Sequence, residues 1–198
     1  MGKREAEEPI GSEEWEWLAR AAGGDEVAFA RLVERHQDRL TGLCQRLLGN
    51  REQALDAAQE VFLKLYRKAG TLERRGQLYT WLYRVASNYC LNRLRRRKIV
   101  RFLSLRTAGE EGDEGWEWDF ADPTPGPEAR LEAARRWRAT RRAIDALPTN
   151  QRAVLVLARW EGLSQREIAE ALEISEGAVE SRLFRAMRNL ERAQEDES

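Results

Sequence analysis

Between Leu78 and Lys98, the aromatic residues Tyr79, Trp81, Tyr83 and Tyr89 are interleaved with Arg84, Asn88, Asn92, Arg93, Arg95, Arg96 and Arg97. Aromatic faces beside cationic groups can hold single-stranded nucleic acid, because bases stack on the rings and arginines take the phosphates. The same rings could serve only as core, and Trp81 has the strongest claim to a core position. A second candidate is LSQREIAEALEISEGAVESRLFRAMRNL, Leu163 to Leu190. On a helix that begins at Glu176, Val179, Leu183, Ala186, Met187 and Leu190 fall on one side. Gly177, Ser181, Phe184, Arg185 and Arg188 fall on the other. An outward face of this kind suits the major groove: Arg meets guanine edges or phosphates, and Phe meets thymine methyls. Bond-making chemistry has little to work with. His36 is the single histidine and continues the apolar face of Phe29, Leu32, Val33 and Leu40. Two cysteines, Cys44 and Cys90, sit among apolar neighbours and read as buried free thiols. With no Gly-rich phosphate loop either, the expectation is no catalytic residue, no metal and no cofactor.

A third surface lies upstream. On the helical pattern around Ala58, Val61, Phe62 and Leu65, the opposite stripe holds Asp56, Gln59, Glu60, Leu63 and Arg67. A leucine on a polar stripe fits either a protein interface or a stray surface residue.

These side chains need helices to position them. Sustained apolar–polar alternation is absent, and Ala, Leu, Glu, Arg and Gln dominate. Helices are expected at about 12–22, 25–48, 51–69, 78–102, 127–146, 150–161, 165–173 and 176–193, which makes the chain all-α. Ser164 and Glu167 form a capping box that starts one helix, and Ser175 caps the next.

The 198 residues carry 34 basic and 34 acidic side chains, so the net charge of zero argues weakly against a nucleic-acid binder. The charges are segregated, however. Arg93 to Arg106 contains no acid, and Thr107 to Glu128 contains no base. The acidic stretch, with its glycines and prolines, has the composition of a linker. It is expected to be flexible and to join two helical domains. The divisions are 1–24, an acidic tail and short helix; 25–103; the linker 104–127; and 128–193. Trp116, Trp118 and Phe120 within the linker have no settled role; they could dock on a partner or on the chain's own domains. Residues 1–11 are expected to be disordered. No leader pattern and no membrane-spanning run is visible, so the chain reads as cytoplasmic, without stable membrane insertion.

The segment ALPTNQRAVLVLARWEGLSQREIAEALEISEGAVESRLFRAMRNL resembles region 4 of bacterial sigma factors, especially the extracytoplasmic-function (ECF) group. The matching features are Leu147-Pro148, Gly162-Leu163-Ser164, Glu167-Ile168-Ala169, Gly177 and Val179, and Ser181-Arg182-Leu183. DEVAFARLVERHQDRL resembles region 2.1, ALDAAQEVFLKLYRKAGTL region 2.2, and YTWLYRVASNYCLNRLRRRK regions 2.3 and 2.4. The resemblance implies a region 2 helical bundle and a region 4 helix-turn-helix, and a non-enzymatic specificity subunit that directs core RNA polymerase to promoters and helps to open them. It implies that Asp56, Gln59, Glu60 and Leu63 grip the clamp helices of the largest polymerase subunit, and that region 4 meets the flap. It places Arg74, Arg75, Tyr79, Tyr83, Arg84, Asn88, Asn92 and Arg93 at the −10 element. It places Gly177, Glu180, Ser181, Phe184, Arg185 and Arg188 at the −35 element. An anti-sigma factor is a further implied partner.

Two positions depart from the family pattern. Glu173 stands where the turn usually has glycine, and a positive φ there costs a non-glycine residue about 1 kcal/mol. Glu180 stands where Lys or Arg is common. Two other classes remain. A helix-turn-helix regulator binding duplex DNA as a dimer leaves the Asp56, Gln59, Glu60 stripe idle. A helical adaptor that binds only proteins explains neither reading face.

Overall fold

The computed structural model describes residues 12–74, 76–104 and 140–195, all built from helices and their connections. The helices are α1 (Ser12–Ala22), α2 (Glu26–Leu48), α3 (Arg51–Lys68), α4 (Leu78–Ser104), α5 (residues 140–146), α6 (Thr149–Arg159), α7 (Gln165–Leu172) and α8 (Glu176–Glu195). The expected boundaries and the observed ones differ by a residue or two where both exist. The expected start of α5, the acidic linker with Trp116, Trp118 and Phe120, and Arg75 lie outside the described residues.

Local chemistry sets these boundaries. The Asp25 carboxylate caps α2 by accepting from the Ala28 amide at 2.9 Å, and the Asn50 side chain caps α3 through the Gln53 amide at 2.9 Å. Between them, α2 ends on Gly49, whose φ of 74° is the left-handed conformation that glycine adopts without penalty. Ser164 and Glu167 form the anticipated capping box on α7. Its end is unusual: Glu173 itself holds φ 55°, with its N–H donating to the Ala169 carbonyl. A carboxylate side chain thus occupies a position where a Cβ is strained.

The first domain is built on α2, whose Leu32, Leu40, Leu43 and Leu47 are wholly buried against α3 and α4. The inward faces expected for α2 and α3 are the observed ones; Ala58, Val61, Phe62 and Leu65 are all buried. Helix α1 packs along α2 through Trp15, Trp17, Leu18 and Ala21. Arg35 lies over the Trp17 ring at 4.6 Å, and the Trp15 indole donates to the Gly76 carbonyl at 3.0 Å. His36 is buried beside Glu14 at 3.2 Å, as its apolar setting implied. Cys44 and Cys90 are free and buried. Trp81 is only half-buried at the margin of the core, whereas Tyr83 is buried within it.

Helices α6, α7 and α8 form the second domain, with Ile168, Leu172 and Val179 at its centre. The two domains lie against each other. Helix α4 packs on α7, α2 packs on α6, and one continuous apolar cluster runs through both.

Candidate nucleic-acid interface

On α3, residues Asp56, Gln59, Glu60 and Leu63 are all exposed, at a spacing that puts them on one stripe. Leu63 shows 47% of its surface to solvent, and it is not isolated: Leu55 and Tyr66 on the same helix and Val27 on α2 are large exposed apolar residues as well. Tyr66 is held by an edge-on contact with Phe29 at 5.0 Å. Sequence reasoning missed Leu55, Tyr66 and Val27. The signal was present in the spacing of 55, 59, 63 and 66, which continues one helical stripe. Leu55, Leu63 and Tyr66 thus leave apolar surface exposed on a helix that already has a fully formed inner face, as a docking surface would require.

The α4 face is less open than expected. Asn92 is exposed, and Asn88 and Arg93 are half-buried; Arg93 lies 3.9 Å from Asp56. Arg74 is exposed in the loop before α4. Tyr83, expected as a stacking platform, is instead 3% exposed. The reason is the second domain. Burial first, and then the Glu161 carboxylate beside it, push the Tyr83 phenol well above its usual value. Glu161 is itself buried and accepts from Arg46 at 3.1 Å. Tyr79 is half-buried and donates to the Glu167 carboxylate of α7 at 2.7 Å. Arg84 remains exposed and lies 3.9 Å from Glu173. Residue type alone suggested a nucleic-acid face for these aromatics. It carried no signal for which domain would cover that face.

Glu167 has two duties at once. Its carboxylate holds the Ser164 hydroxyl at 2.7 Å and amide at 2.8 Å, and it holds Tyr79. These bonds, the Ser164 hydroxyl foremost, keep its pKa below the ordinary 4.5. A depressed folded-state value means that this stabilisation is present above the ordinary value and is lost as pH falls through the lower one. We therefore expect the start of α7 and the Tyr79 contact to loosen together in acid. Denaturation midpoints followed from neutral pH down through the carboxylate range should fall less steeply in Glu167→Gln than in the parent. Equal slopes would rule this account out.

On α8 the expected faces are observed. Val179 and Ala186 are fully buried, and Gly177, Glu180, Phe184, Arg185 and Arg188 are exposed, with Ser181 half-buried between them. Phe184 leaves 67% of its surface in water. Ser175 caps the helix through the Ala178 amide at 3.2 Å, which fixes the N-terminal turn that carries Glu176, Gly177 and Glu180 to the surface. Among the described residues, no cluster of metal-ligating side chains occurs, and no helix is long and apolar enough to cross a membrane.

Comparison with known proteins extends these observations. Residues 32–99 match the family model for sigma-70 region 2, and residues 137–190 match the model for sigma-70, region 4. The ECF RNA polymerase sigma factor SigW of Bacillus subtilis is 34% identical over 173 residues, which span 87% of this chain and 92% of that protein. The RNA polymerase sigma-H factor of Pseudomonas aeruginosa is 35% identical over 177 residues, covering 89% and 91% of the two chains. Among solved structures, CnrH in complex with the cytosolic domain of CnrY superposes with a TM-score of 0.64 at 26% identity, over 94% of this chain and all of that one. The sigma factor RpoE from Bartonella quintana, in complex with the anti-sigma factor NepR, has the same TM-score at 19% identity and thus shares the fold, over 84% of this chain and 96% of that one.

Proposed function

The chain belongs to the extracytoplasmic-function group of sigma-70 factors, and from that premise we propose how its surfaces divide the work of a promoter-specificity subunit of bacterial RNA polymerase. The observation that supports the division is that three chemically different surfaces sit on three separate helices of one chain. The α3 stripe of Asp56, Gln59, Glu60 and Leu63, with its exposed apolar neighbours, binds the clamp helices of core polymerase, and the second domain meets the flap. Arg74 and Arg75, followed by the α4 face of Tyr79, Arg84, Asn88, Asn92 and Arg93, take the opened −10 strand. The α8 face of Gly177, Glu180, Ser181, Phe184, Arg185 and Arg188 reads the −35 element in the major groove.

The domain divisions 25–103 and 128–193 belong to the same proposal, as do a cytoplasmic location and the absence of catalytic activity. An anti-sigma factor is a further partner, in keeping with the complex of RpoE with the anti-sigma factor NepR. A regulator that acts on duplex DNA without polymerase would leave the α3 surface without a role. Run-off transcription with bacterial core polymerase on a genomic promoter library tests the function directly. Specific initiation that requires both the chain and core is the expected result, and initiation by core that the chain does not redirect would overturn it.

Glu180 gives a sharper test of the reading face. It is exposed at the edge of that face, beside Ser181 and within one turn of Phe184. A single carboxylate is a weak base reader but an effective brake on phosphate approach. Glu180→Arg should therefore strengthen initiation across all −35 variants and steepen the salt dependence of log affinity by about 1, as one added phosphate contact does. Run-off assays across a −35 base panel at several salt concentrations decide it. A changed order of preferred bases would mean that Glu180 touches a cytosine amine instead.

A further inference from the structure

The connection between α3 and α4 carries Arg74, assigned above to the opened −10 strand, and the inference that follows rests on that reading. Its shape is fixed partly from within. At its start, the Thr71 and Leu72 amides donate to the Lys68 carbonyl at 3.0 and 2.9 Å, and Leu72 packs against the core. At its end, Leu78 is wholly buried as the first residue of α4. Between these anchors, Arg74 and Gly76 are exposed. Gly76 holds φ 66°, a conformation that a residue with a Cβ adopts only with strain. Its carbonyl accepts from the Trp15 indole of α1 at 3.0 Å, across 61 positions of sequence.

Helix α1 meets the connection a second time. A Cβ placed on Gly70 would lie 3.8 Å from the Ala22 methyl, an ordinary contact. Trp15 and Ala22 both lie on α1, so the helix touches the connection at two places about 10 Å apart along its axis. Trp15 also belongs to the core, with 8% of its surface exposed. Packing alone does not need its nitrogen. A phenylalanine or leucine fills a core position without a donor, whereas a buried indole N–H has to find an acceptor. The acceptor it finds is the backbone of the segment that carries Arg74.

We propose that Trp15 is a positioning residue for promoter opening. Its indole holds the Gly76 carbonyl, Ala22 supports Gly70, and α1 thereby keeps the connection in the shape that presents Arg74 to the melted strand. Trp15 itself touches no DNA. It acts by ordering the segment beforehand, so that less conformational freedom is lost when the strand is captured.

The test uses the full chain in holoenzyme with core polymerase, on a promoter recovered by the run-off screen above. Replacing Trp15 by 3-benzothienylalanine puts sulfur in place of the indole N–H at nearly the same shape, so the core stays filled. Trp15→Phe is the simpler companion, and the analogue decides alone if that variant does not fold. Both should speed amide exchange in peptides that span residues 69–77 of the free chain. Both should slow promoter opening at saturating holoenzyme, followed by permanganate reactivity, by about fivefold, as the net loss of one hydrogen bond does. For the analogue, the melting temperature and the affinities for core and for duplex promoter should match the parent. A template already mismatched through the −10 element should restore full initiation, because the strands are then separated in advance. Unchanged exchange, unchanged opening, or an equal defect on the mismatched template would each overturn the positioning role. So would an equal loss of core or duplex affinity, which is what a merely structural tryptophan gives. Arg74→Ala tests the underlying reading by itself. Slowed opening there, beside normal opening in the Trp15 variants, removes only the positioning role. Unimpaired opening in Arg74→Ala removes the assignment of the connection, and this inference with it.

Discussion

Core polymerase should bind the variant Gln59→Ala, Glu60→Ala, Leu63→Arg about 30-fold to 1,000-fold more weakly than the parent chain, a loss of about 2–4 kcal/mol. The size of the effect follows from where these residues sit. All three are exposed on α3, while the inner face of the same helix is filled by Ala58, Val61, Phe62 and Leu65. The substitutions therefore leave the core untouched, and the domain should melt at an unchanged temperature. At an interface, a leucine packed at the centre of a desolvated patch contributes far more than a rim charge, and an arginine forced into that place adds an unpaired charge. Leu55 and Tyr66 are exposed on the same helix, so single alanine changes should have smaller effects than the triple variant. Pull-down with core polymerase at several protein concentrations, beside thermal melts, measures both quantities. Unchanged affinity would remove the docking role from α3, and a lowered melting temperature would mean that the loss came through folding.

The helical fold and both faces of α3 and α8 were legible in the sequence because each rests on local information. Periodicity fixes which side of a helix is buried, and side chains such as Ser164 and Ser175 announce where helices start. The capping box of α7 needs only residues three apart. The burial of Tyr83 is of another kind. Tyr79, Trp81, Tyr83 and Tyr89 fall at positions that periodicity assigns ambiguously, and what decides between them is a domain some eighty residues later in the chain. Trp81 is the larger ring, yet Tyr83 is the one that meets α6 and the Glu161 carboxylate. Pairings such as Tyr79 with Glu167 and Arg46 with Glu161 join residues 88 and 115 positions apart. Neither residue of either pair is unusual in its own neighbourhood. Glu173 shows the intermediate case: the sequence marked it as a residue out of place in a turn, and only the structure supplies the Arg84 that faces it.

Ile168→Ala should destabilise the second domain by about 2–5 kcal/mol, the range for removing a large aliphatic side chain from a packed interior. Ile168 is 1% exposed and lies on a helix of eight residues. A helix this short has little stability of its own and depends on its buried face. That face consists of Ile168, Ala169, Ala171 and Leu172, two of which are alanines with no atoms to spare. Losing Ile168 removes the more deeply buried of the two anchors that hold α7 between α4 and α8. Val179, buried on α8, packs in the same cluster and loses part of its support. The consequence for function is selective. The α8 reading face is set by Val179 and Leu183 against this cluster, so initiation that depends on the −35 element should collapse. The α3 surface belongs to a domain whose leucines lie on α2, α3 and α4, so binding to core polymerase should persist. Urea denaturation followed by circular dichroism gives the stability change, and core pull-down beside run-off transcription gives the split. A loss below about 1 kcal/mol would mean that α7 repacks around the smaller residue. An equal loss of core binding would mean that the two domains fold as one cooperative unit, which the continuous apolar cluster allows.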